Sequence, residues 1–354
     1  MARIGMVSLV VVSLAACRQA DLVVVEAEPL GTVPRSAWIQ GRDGGGSSSA
    51  FGQSIWVYGD TVLNDVASDG TNWHTNSWDI RDRATWMTDV ETPVDAIGAP
   101  RYFVELSADE LAWNELHAAE DCPEAPCGVR WALWPSNPLY DEARGRAWIL
   151  YGLYNDELPS GIGIASWAGL DQPVVRHTIG EGESWLLFPA PELEWANAPL
   201  VHDDWLYAFG CQLRGLARPC MLARAPLEDP SDRSAWRFFD GDAWVADASE
   251  ADELFDGAPI MEVSWNDALE RWLLVYSKPF DHDVVARTAE HLVGPWSREE
   301  VLFRAPGDAP YDAVHHADLE EQDGLVQYVT YSQHTSGWFG SEHQLWRVEL
   351  ARPE

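Results

Sequence analysis

Lysine is almost missing from this chain. Lys278 is the only one, and 23 basic residues face 57 acidic ones, a formal net charge of -34 over 354 residues. No cationic stripe exists on which a nucleic acid could release counterions, so nucleic-acid binding is excluded as a function class. The same charge would repel an anionic bilayer, and membrane attachment would have to rest on a covalent lipid. Long apolar runs are scarce too: the one near the N-terminus is too short to span a membrane as a helix. Cysteine is limited to five residues with no CxxC spacing and no neighbouring His-x-x-x-His, so neither a metal nor another cofactor is expected.

What the N-terminus does contain is an export address. Arg3 and the apolar run Val7 to Val12 lead into Leu14-Ala15-Ala16-Cys17, the order of a bacterial lipoprotein signal whose cysteine is acylated after cleavage. An ordinary signal peptide cut near Ala16 is the competing reading. Residues 1–17 are therefore expected to be signal and lipobox, with Cys17 as the lipidation site. Residues 18–34 lack clear periodicity and are expected to form a tether. Arg18 stands where inner-membrane retention would call for aspartate in some bacteria, which points to an outer-membrane lipoprotein. In an exported chain the four remaining cysteines form two close pairs, and the spacing predicts Cys122–Cys127 and Cys211–Cys220 disulfides.

Residues 35–354 read as one all-β domain. Short runs rich in Trp, Tyr, Val, Ile and Leu alternate with Gly, Asp, Asn and Pro turn clusters, and Ser107 to His117 is the best helical exception. An apolar strand ending in an aromatic and a small residue recurs five times, at Tyr58-Gly59, Tyr151-Gly152, Phe209-Gly210, Tyr276-Ser277 and Tyr331-Ser332. Five such hairpins predict a five-bladed β-propeller, here expected to be monomeric. In that fold the first strand of each blade lines a central channel. Those strands offer Asp43, Trp134 with Ser136, Asn197, Glu262, and His315 with His316.

The first repeat is the densest in chemistry. Asp43 and Asp60 are placed symmetrically about the turn at Phe51-Gly52, which in a regular antiparallel hairpin makes them near-opposite neighbours. Like charges so placed cost energy in a structural hairpin. In an active site the same repulsion raises one pKa and leaves an acid beside a carboxylate, as glycoside hydrolysis requires. Local turn hydrogen bonds by the two aspartates are the competing reading. Glu262 is the best third acid, although a strand glutamate facing solvent is more common. Asn76, Asn197, His315 and His316 are candidate sugar-hydroxyl partners, and Trp134 could stack on a sugar face; each also has an ordinary structural role open to it.

Gly41-Arg42-Asp43-Gly44-Gly45 followed by Trp56-Val57-Tyr58-Gly59-Asp60-Thr61, then Asn76-Ser77, Gly294-Pro295-Trp296-Ser297, and Tyr311 to His316 leading to Tyr328-Val329-Thr330-Tyr331-Ser332 together resemble a family of exported five-bladed propellers. That family was long catalogued as a domain of unknown function. It is similar to the furanosidase-type propellers, the arabinanases, levansucrases and invertases, and includes endo-D-arabinanases. The resemblance covers roughly residues 36–350. It implies a glycoside hydrolase acting on a furanose-containing polysaccharide, with endo-action on D-arabinan as the finer expectation and catalytic carboxylates at Asp43 and Asp60. Glu262 corresponds in blade position only. The alternative is a lipid-anchored, non-catalytic carbohydrate-binding propeller.

Overall fold

Each of the five aromatic–small pairs lies near the end of the second strand of its own antiparallel sheet, and the five sheets are the blades of a propeller. The computed structural model describes residues 22–180, 184–335 and 340–353; Cys17 and the rest of the expected export signal lie outside the described residues. Blade one is built from Gly46–Ala50, Gln53–Tyr58, Ser77–Arg81 and Val90–Glu91. Blade two has an interrupted inner strand, Ala132–Pro135 and Leu139–Asp141, followed by Arg146–Tyr154 and Gly161–Trp167. Trp195–His202, Trp205–Cys211 and Pro219–Pro226 begin blade three, and Glu262–Asn266, Arg271–Ser277, Asp283–Ala289 and Glu300–Arg304 make blade four.

The fifth blade joins the two ends of the described chain. Its strands run Tyr311–His315, Val326–His334 and Ser341–Ala351, and its outermost strand is Val23–Thr32, antiparallel to the last with Val23 opposite Ala351. This corrects the expectation of a tether over residues 18–34. Val23–Thr32 of it is an edge strand, with Leu22 already buried in the core between blades four and five, while residues 18–21 lie outside the described residues. Its weak signature has a physical cause. Edge strands carry charge, proline and bulges that discourage further pairing, here Glu26, Glu28, Pro29 and register shifts at Val24/Glu26 and Pro29/Gly31.

Five hydrophobic clusters fill the five seams between neighbouring blades. Phe209 and Leu222 meet Trp272 and Tyr276 between blades three and four, while Trp148 and Ile164 meet Trp195 and Leu206 between two and three. The repeated aromatics are the centre of this packing: Tyr58, Tyr151, Phe209 and Tyr276 are wholly buried. Arginines of the outer strands then use the tyrosine hydroxyls, Arg176 of the fourth strand of blade two on Tyr151 and Arg287 of the third strand of blade four on Tyr276, each at 3.0 Å. The seam between blades five and one is different. Its apolar cluster is small, and beside it Asp79 is buried with Arg42 at 2.7 Å and Arg81 at 3.1 Å.

The expected helix is Ala108–His117, closed at its N-terminus by a Ser107/Glu110 capping box and fixed to blade two by the Glu110–Arg176 ion pair at 2.5 Å. Both disulfides are formed, Cys122–Cys127 and Cys211–Cys220. Among the described residues no helix is long and apolar enough to cross a membrane.

Candidate active site

The inner strands all begin at one pole of the propeller, and the loops there surround a cleft of about 470 Å³. Asp43 enters it on the chain that leads into blade one. The register of the Gly46–Ala50/Gln53–Tyr58 hairpin continues past its end, so the Asp43 N–H donates to the Asp60 carbonyl at 3.1 Å and the Gly59 N–H donates to the Asp43 carbonyl at 2.9 Å. The tight turn beyond, Phe51-Gly52, has positive φ at both residues and sets this pairing. Gly59 leaves room for the acid: a Cβ there would come within 3.0 Å of Asp43 Oδ1.

Three aspartates converge on the cleft wall. Burial pushes Asp43 up to about 8, and the charges of Asp60 and Asp312 push in the same direction. Burial also pushes Asp60 up to about 6, opposed by the Trp134 indole N–H, which donates to Oδ1 at 3.1 Å, and by the positive charge of Arg130. Asp312 is held up at about 7 by burial against a hydrogen bond from the Gly44 backbone. At neutral pH the wall therefore carries a largely protonated Asp43 next to a largely ionised Asp60, whose charge helps hold the proton on Asp43.

The other lining residues come from the remaining blades. Glu262, at the start of the inner strand of blade four, is raised well above the carboxylate range, first by burial and then by the charge of Asp318. Trp134 faces the cleft from blade two with its ring partly exposed and packed 4.9 Å from Tyr154. Asn197 lines it from blade three, donating to the Pro259 carbonyl.

Three expected sugar contacts are corrected. Asn76 is wholly buried and its carboxamide is spent on backbone, accepting from Phe103 N at 2.8 Å and Val104 N at 3.1 Å and donating to Leu133 O at 3.0 Å. It fixes the blade-one insertion to blade two and does not reach the cleft. His316 is wholly buried, stacked on Trp56 at 4.1 Å and hydrogen-bonded to Ser47 and Thr330 at 2.8 Å each. His315 is equally buried and hydrogen-bonded to Ser264 at 2.7 Å, and burial pushes it down to about 3. Both imidazoles are neutral packing elements among the inner strands and outside the cleft lining.

Sequence reasoning passed over Asp312 and Glu194, both of which line the cleft. Each sits at the beginning of an inner strand, as Glu262 does, so a search for strand-initial acids in every repeat would have found them. Asp312 also lies in a bulge against Val326–His334 with φ of 54°, which turns its carboxyl toward Gly44 in the loop carrying Asp43.

Solved structures share the fold. A protein of Bacteroides ovatus ATCC 8483 superposes with a TM-score of 0.58 at 13% identity, covering 89% of this chain and 87% of its own. A family 117 glycoside hydrolase of Zobellia galactanivorans gives 0.53 at 11% identity, over 94% and 92% of the two chains. The GH43_1 enzyme of Xanthomonas citri complexed with xylose gives 0.51 at 15% identity, over 91% and 89%. No curated protein sequence matches the chain. Within the sequence, residues 174–340, which run from the outer part of blade two into blade five, match the family described as a domain of unknown function (DUF4185).

Proposed function

We propose that this chain is a glycoside hydrolase acting on a furanose-containing polysaccharide, with endo-cleavage of D-arabinan as the specific expectation. The observation that carries this reading is the Asp43/Asp60 pair, two adjacent carboxyls in one cleft with different protonation states at neutral pH. Protonated Asp43 donates its proton to the departing glycosidic oxygen. Ionised Asp60 attacks the anomeric carbon or takes a proton from the attacking water, and offsets the positive charge that develops on the sugar ring. Glu262, a carboxyl on the blade-four wall whose burial favours its protonated form, is an auxiliary acid, and Trp134 and Asn197 hold the sugar. The propeller fold shared with a family 117 glycoside hydrolase and a GH43_1 enzyme supports the class of reaction. In this reading the protein is an exported monomer, acylated at Cys17 and held at the outer membrane.

Incubation of the protein with arabinans, fructans and pectic glycans tests the proposal. Oligosaccharides released from an arabinan are the expected product. Binding of a glycan with no hydrolysis of any would replace this reading with the carbohydrate-binding propeller.

A further inference from the structure

Strand polarity fixes which pole of the propeller a lipid anchor would hold. In blade five the Asp312 end of Tyr311–His315 is at the cleft, so Val326–His334 runs toward the cleft pole and Ser341–Ala351 runs away from it. Val23–Thr32 is antiparallel to that last strand, with Val23 opposite Ala351 and Thr32 opposite Gln344. The described chain therefore enters at the pole opposite the cleft and climbs toward it. Leu22 is pinned there by burial, and five residue steps separate it from Cys17. Even fully extended, five steps reach only roughly 17 Å. A strand of nine residues such as Val326–His334 spans about 30 Å, more than that tether can cover.

The pole at which the chain enters is acidic. Its inter-strand turns present Asp203, Asp204, Asp267, Glu321 and Asp323, all exposed, together with Glu270 paired to Arg352 at 3.1 Å, and these acids outnumber the exposed Arg144 and Arg352 of the same pole. Against anionic headgroups such a surface is repelled within a Debye length of about 10 Å, so it would not lie down on the bilayer and attachment would fall to the acyl chains alone.

We infer that the membrane-anchored protein stands with its acidic pole over the bilayer and its cleft facing away from it, so that its substrate is a glycan reaching it from the far side and not the headgroup of a glycolipid in the anchoring leaflet. The inference rests on acylation of Cys17 as proposed above, and is independent of the chemistry in the cleft.

The four cysteines other than Cys17 are paired in disulfides, so one introduced cysteine carries one label. Glu321→Cys marks the acidic pole, and Phe280→Cys, on a blade-four loop at the cleft pole and 81% exposed, marks the other. Each donor-labelled, lipidated protein is reconstituted into phosphatidylcholine vesicles containing an acceptor-labelled lipid. Stronger energy transfer from position 321 than from position 280 is expected. The same comparison is made with a hexahistidine tag placed immediately before Leu22 on vesicles containing a nickel-chelating lipid. Mass spectrometry of the mature N-terminus reports acylation separately. An unmodified Cys17 overturns the anchored state in the cell, whereas equal transfer from the two positions, or the reverse order, on either vesicle overturns the orientation.

Discussion

The indole N–H of Trp134 donates to Oδ1 of Asp60 at 3.1 Å, tying the inner strand of blade two to a carboxyl of blade one. The contact favours the ionised form of Asp60 and separates its behaviour from that of Asp43, whose own neighbours are like charges. Trp134→Phe keeps a ring for packing on Tyr154 and removes the donor. Loss of a hydrogen bond to a charged group, on the order of 1.5–3 kcal/mol, raises the Asp60 pKa by about one unit or more. The acidic limb of the kcat/KM profile is expected to move to higher pH by that amount, and a limb that stays in place would rule out Asp60 as the group that must ionise.

Asp312 should act on the opposite limb. Its charge raises the Asp43 pKa. Asp312→Asn retains an oxygen that can accept from the Gly44 N–H and removes the charge. Asp43 then loses its proton at lower pH, so the alkaline limb of kcat/KM is expected to retreat downward while the acidic limb stays put. Movement of the acidic limb alone would contradict Asp43 as the proton donor.

The same raised carboxyls make stability depend on pH. Asp43 has a folded pKa of about 8 against an unfolded value near 3.8, so between those values the native state binds more protons than the unfolded one. Stability from this group is full below about pH 4 and is lost as pH rises through 8. The wild-type Tm should therefore fall between pH 5 and pH 8, and Asp43→Asn, which cannot ionise, should flatten the fall and be the more stable protein at pH 8. The difference is on the order of a few kcal/mol, since Asp43 is coupled to Asp60 and Asp312. Thermal scans of the two proteins at pH 5, 6.5 and 8 measure it; parallel curves would contradict a buried, protonated Asp43.

How much of this could be read from the sequence depends on whether a feature repeats. The aromatic–small endings were legible because each blade must fill a seam with the same strand position, and Tyr58, Tyr151, Phe209, Tyr276 and Tyr331 do so. The Asp43/Asp60 relation was legible because a two-residue turn fixes register locally. Val23–Thr32 was not, since its partner Ser341–Ala351 lies at the other end of the chain and edge-strand composition imitates a linker. Asn76, His315 and His316 were misread for a different reason: a polar side chain on an inner strand can satisfy buried backbone or hydroxyl groups as readily as a sugar, and alternation alone does not tell which. Asp312 was legible only as a strand-initial acid; the bulge and positive φ that turn it toward the cleft leave no mark in the sequence.

The seam between blades five and one holds a buried ionic cluster. Asp79 accepts from Arg42 at 2.7 Å, Arg81 at 3.1 Å and Thr92 at 2.7 Å, and Arg42 stacks over Tyr58 with its guanidinium carbon 3.4 Å from the ring centroid. Burial alone would raise the Asp79 pKa, but the two guanidiniums hold it below the usual carboxylate range. Asp79→Asn leaves two buried arginines without a counter-charge, and a destabilisation of about 3–5 kcal/mol is expected from denaturant titration. A change under about 1 kcal/mol would mean that solvent compensates the arginines.

Catalysis and binding make different demands on Asp43 and Asp60. An amide can donate to a sugar hydroxyl in place of protonated Asp43 and accept from one in place of ionised Asp60, so affinity survives Asp→Asn at either position. Proton donation and nucleophilic or base assistance do not. Asp43→Asn and Asp60→Asn are each expected to lower kcat by at least about 100-fold, the scale of lost general acid–base catalysis, with Kd for the glycan changed far less. The two variants should also lose opposite limbs of any residual pH profile, the alkaline one in Asp43→Asn and the acidic one in Asp60→Asn, because the first removes the donor and the second the ionised partner. Substantial turnover by both variants would remove the pair from the mechanism and shift attention to Glu262 on the opposite wall, whose raised pKa fits it for a proton donor in its own right.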